Sequence, residues 1–397
     1  MNRKFLISLL LIISIATTGC WDAYELNQLA IVSALGIDKD TAGYIVSLQV
    51  LNPGQISGKN KGSGSPVTTY TATGATIWEA GRKLYTEYPR VFTYTHLKVV
   101  ILGENMAREG IAPILDFITR CFEMRMDYVM LVARNSSAKD ILSVLTPAEV
   151  VPAEALVNSL KLSQKVLGET SAVTVDEFVS MLVTEGKDPV AAGVKISGEA
   201  NSGEKTDSIK KVDMPAAVTV APLGVFKKDR LVGWLNERDS KGYNYITGKG
   251  KDFVSIVTMP QGGKVEMKIL KTKVALDAAG ADQQPEINLE MEVEGTIDGI
   301  STDIDLLKEE NIRIIEGEEE KEIGNIIAGA IRTAQKQYSS DIFGFGDVIH
   351  RTNYRAWESL RDNWDESFRN LPVNIKVKVR IVGTCIKANS ILAGIKR

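Results

Sequence analysis

Two histidines and three cysteines in 397 residues leave little material for metal or redox chemistry. A zinc cage needs about four Cys/His ligands at set spacings, and a disulfide framework needs a dense, even cysteine set. Charge of one sign is equally scarce. The 47 basic and 50 acidic side chains leave a formal charge of −3, which argues against an electrostatic nucleic-acid binder. Long apolar runs are missing too. Phe5 to Ala16 is apolar over 12 residues apart from Ser8 and Ser14, well short of the roughly 20 that a spanning helix needs. With 44% hydrophobic and 24% charged residues the chain is of ordinary globular composition, and its length suggests two or three domains.

The short apolar run has a different use. Arg3 and Lys4 precede it, and Thr17-Thr18-Gly19-Cys20 follows it. A positive start with a short apolar core reads as a secretory signal segment, here residues 1–19. A small residue followed by cysteine resembles the lipobox of bacterial lipoproteins, whose thiol receives a diacylglycerol and becomes the mature N-terminus. Thr17 stands where that motif usually has leucine. Cys20 is the expected lipidation site, with the covalent diacylglycerol and an N-acyl chain (palmitate, for example) as the only added group and no cofactor or metal. Two acyl chains suffice for stable anchoring, whereas one is marginal. Without residues 1–19 the remaining 378 lose Arg3 and Lys4, so their formal charge falls from −3 to −5. Anionic lipid does not attract such a chain, and the acyl chains must hold it at the membrane. Trp21 and Tyr24 follow the anchor directly and are candidates for the membrane interface, where amphipathic rings are favoured.

The rest reads as α+β, in three mixed α/β domains. Residues 20–197 alternate strands and helices. Strands are expected at Ala30–Ile37, Tyr44–Leu51, Val67–Thr73, Leu97–Leu102 and Tyr128–Ala133. Thr76 with Glu79, and Thr174 with Glu177, have capping-box spacing and open helices. Residues 198–212 are polar, with no apolar period, and read as a linker. Residues 213–260 read as a small middle β-rich domain. Residues 261–390 read as an antiparallel sheet packed on long helices. There Ile287, Leu289, Met291 and Val293 alternate with acidic residues, while Val373, Ile375, Val377, Val379 and Ile381 alternate with basic ones. Opposite charges on the wet faces predict that the two strands share one sheet. In the strand carrying Val265, Met267 and Ile269 the phase changes at Leu270, which predicts a bulge. A helix from about Glu318 to Tyr338 has a full apolar stripe and should cover that sheet.

No catalytic constellation emerges. His96 and His350 read as structural, Cys121 and Cys385 as buried inert thiols, and Glu123 with Arg125 as an ion pair. The Glu318–Glu322 run reads as a solvated first helical turn, and Trp357 and Trp364 as core. Gly54–Lys59 is one residue short of a phosphate loop, with Asn60 where Ser or Thr should stand.

Several segments together carry a family resemblance. They are Cys20-Trp21-Asp22 with Glu25-Leu26, Ala30-Ile31-Val32 running into Gly36-Ile37-Asp38, and His96-Leu97-Lys98 through Gly103-Glu104 to Gly110-Ile111. Arg120 with Glu123 and Arg125 forms a further block. The most specific is Asp341-Ile342-Phe343-Gly344-Phe345-Gly346, then Trp357, Asn363-Trp364 and the basic strand ending at Gly383. The chain thereby resembles the Ger(x)C family, the GerAC-like C-subunit lipoproteins of spore nutrient-germinant receptors. The resemblance implies a non-enzymatic subunit, lipid-anchored to the outer surface of the inner spore membrane and working with polytopic A and B subunits. Two other readings compete. A solute-binding lipoprotein needs two similar lobes and a cleft at strand ends. An extracytoplasmic cortex hydrolase needs two carboxylates about 5–10 Å apart in a cleft.

Overall fold

Strands β1 (Leu29–Asp40), β5 (Val99–Gly103) and β6 (Val129–Ala133) are apolar almost without a break. Such runs suit strands covered on both faces, the usual setting of a parallel sheet. In the computed structural model β1, β5, β6 and β7 (Val190–Gly198) are parallel neighbours. The structure describes residues 24–56, 64–121, 124–198, 214–281, 284–302 and 304–384, with Arg3, Gly203, Asp207 and Val212 as isolated positions. Strands β2 (Gly43–Leu51) and β3 (Val67–Gly74) add antiparallel to one side of β1. The short β4 (Val91–Thr93) pairs with the start of β1, Leu29 opposite Val91.

On the far side, β8 (Ala216–Lys227) lies antiparallel to β7, and β9 (Arg230–Trp234) to β8. This corrects the domain reading. The stretch 213–260, expected as a small β-rich unit, gives its first two strands to the first sheet and its last, β10 (Val254–Thr258), to the second. Sequence adjacency obscured this, because the linker expected at 198–212, mostly outside the described residues, separates strands that are hydrogen-bonded neighbours.

The capping signals hold. Thr174 accepts the Glu177 N–H at 3.2 Å and Glu177 accepts the Thr174 N–H at 3.3 Å, opening helix Val175–Val183. At helix α1 (Ile77–Lys83), Thr76 caps the Glu79 N–H, but Glu79 reaches back to Ala75 rather than to Thr76 itself.

The second sheet has the order β10–β11–β12–β13, with β11 Lys264–Ala281, β12 Gln284–Ile300 and β13 Val373–Thr384. The bulge falls at Leu270, where the register slips between Ile269 and Lys271. The acidic and basic strands share this sheet, as their charges predict, and are direct neighbours in it. Glu290 faces Lys376 and Glu294 faces Arg380, each pair forming a salt bridge. The sheet is antiparallel from β10 to β12, as expected, and β13 joins β12 in parallel. The 72 residues between these strands carry the helices, and a parallel neighbour needs such a long crossover. Arg380→Glu puts like charges opposite each other on an exposed face. It should cost up to about 1 kcal/mol, measurable by urea unfolding.

Helix α2 (Glu309–Arg332) starts earlier than its acid-rich sequence suggests, and a π-helical turn carries it on to Tyr338. Ile315, Ile323, Ile326, Ile327, Ala330 and Ile331 form its buried stripe. The acidic run is not simply solvated. Glu316 and Glu320 accept the N–H groups of Ile381 and Val379 at 2.8 and 3.0 Å. Glu322 grips Arg238, Glu318 pairs with Lys321, and Glu319 is fully buried against Ser255 at 2.7 Å. The helix thus satisfies donors on the outer edge of β13, where a bare strand edge invites another chain.

Candidate functional site

The hexapeptide Asp341–Gly346 forms a joint between the first sheet and the C-terminal helices. The Asp341 carboxylate is buried and accepts three N–H groups, from Gly344 (2.9 Å), Phe345 (3.1 Å) and Gly346 (2.8 Å). The turn requires its glycines. Gly344 sits at φ +79, and a Cβ on Gly346 would come within 2.6 Å of the Gly186 Cα. Burial pushes the Asp341 carboxyl up to about 7, against the pull of those donors. The nearby Asp188 charge adds to the rise.

Asp188, just before β7, docks on this turn. Its N–H donates to the Asp341 carbonyl at 2.8 Å, and its carboxylate accepts the Asp341 N–H at 3.2 Å and the Lys228 N–H at 2.9 Å. Lys227, at the β8–β9 turn, donates to the Ser339 carbonyl at 2.6 Å and pairs with Asp188 and Asp365. Ser340 donates to the Phe226 carbonyl at 2.7 Å. Trp357 and Trp364 pack edge to face with centroids 5.3 Å apart, and the Trp357 indole N–H reaches Glu185 at 3.0 Å. These partners come from four distant stretches of sequence. Every charged group named faces a protein donor or acceptor, so the joint is built to hold rather than to react.

A second polar crevice lies at the carboxyl ends of β1 and β5, where ligands often bind in open α/β sheets. Asp38 and Glu104 line it, with a volume of about 440 Å³. Both carboxylates are engaged. Asp38 accepts the Ala138 and Lys139 N–H groups at 2.9 and 3.0 Å, and burial raises its pKa. Burial also acts to raise Glu104, but bonds from Trp234, Arg108 and the Asn135 N–H outweigh it and leave the pKa lowered. Neither pair of carboxylates is arranged as the free acid and base of a glycosidase. The two sheets differ in strand number and order, so they are not the similar lobes of a solute-binding protein.

Of the expected anchor residues, Cys20 and Trp21 lie outside the described residues. Tyr24 is 55% exposed. The chain then runs through a single 3-10 turn, Leu26–Gln28, into β1. Glu25, Asn27, Tyr88 and Arg90 line an open groove beside this entry, about 970 Å³ in volume. His96 is exposed and bonds to Thr95 at 3.0 Å, while His350 stacks on Tyr354 and Trp357. Cys121 is half-buried rather than buried, and Cys385 lies outside the described residues. Glu123 does too, and Arg125 pairs with Asp127 at 2.9 Å. Among the described residues there is no cluster of three or more potential metal ligands, and no helix is long and apolar enough to cross a membrane.

Comparison with known families places this two-sheet chain among the spore germination proteins. Residues 22–196 match the family described as "Spore germination protein N-terminal domain", and residues 222–384 match "Spore germination B3/ GerAC like, C-terminal". The chain belongs to this GerAC-like family. It is 29% identical to spore germination protein KC of Bacillus subtilis (strain 168), with 98% of each chain covered. It is 22% identical to spore germination protein B3 of the same organism, covering 94% of this chain and 96% of that one. The crystal structure of the GerBC protein shares the fold, with a TM-score of 0.55 at 17% identity over 88% of this chain and 96% of that one.

Proposed function

We propose that this chain is the C subunit of a spore germinant receptor, a non-catalytic docking subunit held at the outer face of the inner spore membrane by a lipid on Cys20. The observation that carries this reading is the end-to-end match to spore germination proteins, 98% of both chains in one case. The lipobox-like Gly19-Cys20 supports the anchor. Tethering raises the local concentration of a docking surface, so individual contacts with polytopic A and B subunits can be weak. The geometry of the joint supports a structural role. It locks the C-terminal helices onto the first sheet, and its charged groups are spent on each other.

The test is crosslinking of intact spore inner membrane followed by purification through a tag on this chain. The expected result is recovery of two polytopic membrane subunits crosslinked to it. Recovery of this chain alone, or a purified chain that hydrolyses cortex peptidoglycan, would contradict the reading.

A further inference from the structure

Four aromatic side chains stand about half exposed among the described residues: Tyr24, Trp78, Tyr85 and Tyr354. Two of them share one helical stripe. Trp78, Arg82 and Tyr85 recur at helical spacing along α1 and the 3-10 turn that follows it, and all three are exposed. Trp78 rests edge-on against Phe117, centroids 4.7 Å apart. Tyr85 rests against Phe92, centroids 5.0 Å apart, and Phe92 is the strand partner of Ala30. The Tyr85 end of the stripe is therefore held beside the start of β1, where Ala30 lies six residues after Tyr24, and the stripe runs from there toward Trp78.

We propose that the stripe Trp78–Arg82–Tyr85, together with Tyr24, lies against the headgroup region of the lipid bilayer. This rests on the acylation of Cys20 proposed above. Tyr24 lies four positions after that cysteine, and four fully extended residues span at most about 14 Å. An acylated chain holds this end of the molecule within that distance of the membrane. Trp and Tyr are the side chains that favour the interface, where the ring is sheltered and its N–H or O–H stays wet. Charge does not supply the attraction. Arg82, Lys83 and Arg90 are offset by Glu25, Glu79 and Glu87, and Lys83 already pairs with Glu79 at 2.7 Å. The contact is thus with the polar–apolar boundary of any bilayer rather than with anionic lipid, and it persists in high salt.

The test uses the full acylated chain carrying Cys121→Ser and Cys385→Ser, reconstituted in phosphatidylethanolamine/phosphatidylglycerol vesicles. A nitroxide is placed at Arg82→Cys or, as a distal control, at Tyr354→Cys. The label at 82 should be several-fold less accessible to a water-soluble relaxant than the label at 354, and should stay so in high salt. Adding Trp78→Ser with Tyr85→Ser should abolish the difference. Equal accessibility of the two labels in protein whose acylation is verified by intact mass would overturn the proposal and leave the anchor standing. Protection at 82 only when polytopic subunits are added would also overturn it, in favour of a protein partner. An intact mass without acyl chains would remove the anchor, and this proposal with it.

Discussion

Asp341→Ala is expected to destabilise the protein by about 4 kcal/mol or more, in the range reserved for the loss of a buried network. The carboxylate is the shared acceptor for three N–H groups of its own turn. Truncation leaves those donors buried and unpaired, at about 1–3 kcal/mol each. The damage should spread. The Asp341 main chain also exchanges bonds with Asp188, which orders the Lys227–Lys228 turn. Asp341→Asn keeps one acceptor oxygen and removes the cost of charging a buried acid but turns an NH₂ group toward N–H donors, so a loss smaller than that of the alanine variant, below about 3 kcal/mol, is expected. Urea unfolding followed by tryptophan fluorescence checks both, because Trp357 and Trp364 pack at the joint. An Asp341→Ala midpoint close to that of the parent would refute the role given to this motif.

Glu319→Gln should act in the opposite direction and only above acidic pH. Glu319 is wholly buried between α2 and β10, and one of its oxygens has no hydrogen-bond partner among the described residues. Burial pushes its pKa up to about 7, helped by the neighbouring Glu322 charge and opposed by Ser255 and Lys241. An acid raised from an ordinary value near 4.5 holds its proton longer when folded than when unfolded. This group's contribution to stability therefore declines as pH rises from about 4.5 to about 7 and is level above that. At about 1.4 kcal/mol per pH unit the penalty reaches about 3.5 kcal/mol at pH 8. Gln, neutral at every pH, escapes it. The variant should match the parent near pH 4.5 and exceed it at pH 8, read from urea midpoints across that range. A constant difference between the two proteins over the whole range would contradict the burial argument.

Local patterning was most legible where one physical rule acted alone. Alternation over Ile287–Val293 and Val373–Ile381 marked both strands, and their opposite charges put them in one sheet. The phase change at Leu270 gave the bulge. The direction of β13 was not legible, because a wet face of lysines pairs with glutamates in either orientation. The acidic run Glu318–Glu322 misled for a related reason. A glutamate on a solvated helix turn and one that reaches a strand edge look alike until the strand is in place. The Asp341–Gly346 motif was visible as a family signature. Its partners, Asp188 and Lys227, carried no signal, since their meaning depends on contacts more than 100 residues away. The stripe at Trp78 and Tyr85 was also missed. Sequence alone does not separate an outward aromatic from an inward one on a short helix.

The anchor is the claim on which the placement of every surface depends. The direct measurement is the mass of the N-terminal peptide from native spore membrane, compared with the fractionation of a Cys20→Ala chain. The account predicts a peptide beginning at Cys20 that carries a diacylglycerol, and a Cys20→Ala protein that leaves the membrane fraction. A native N-terminus free of lipid, with the alanine variant still membrane-bound, would contradict it.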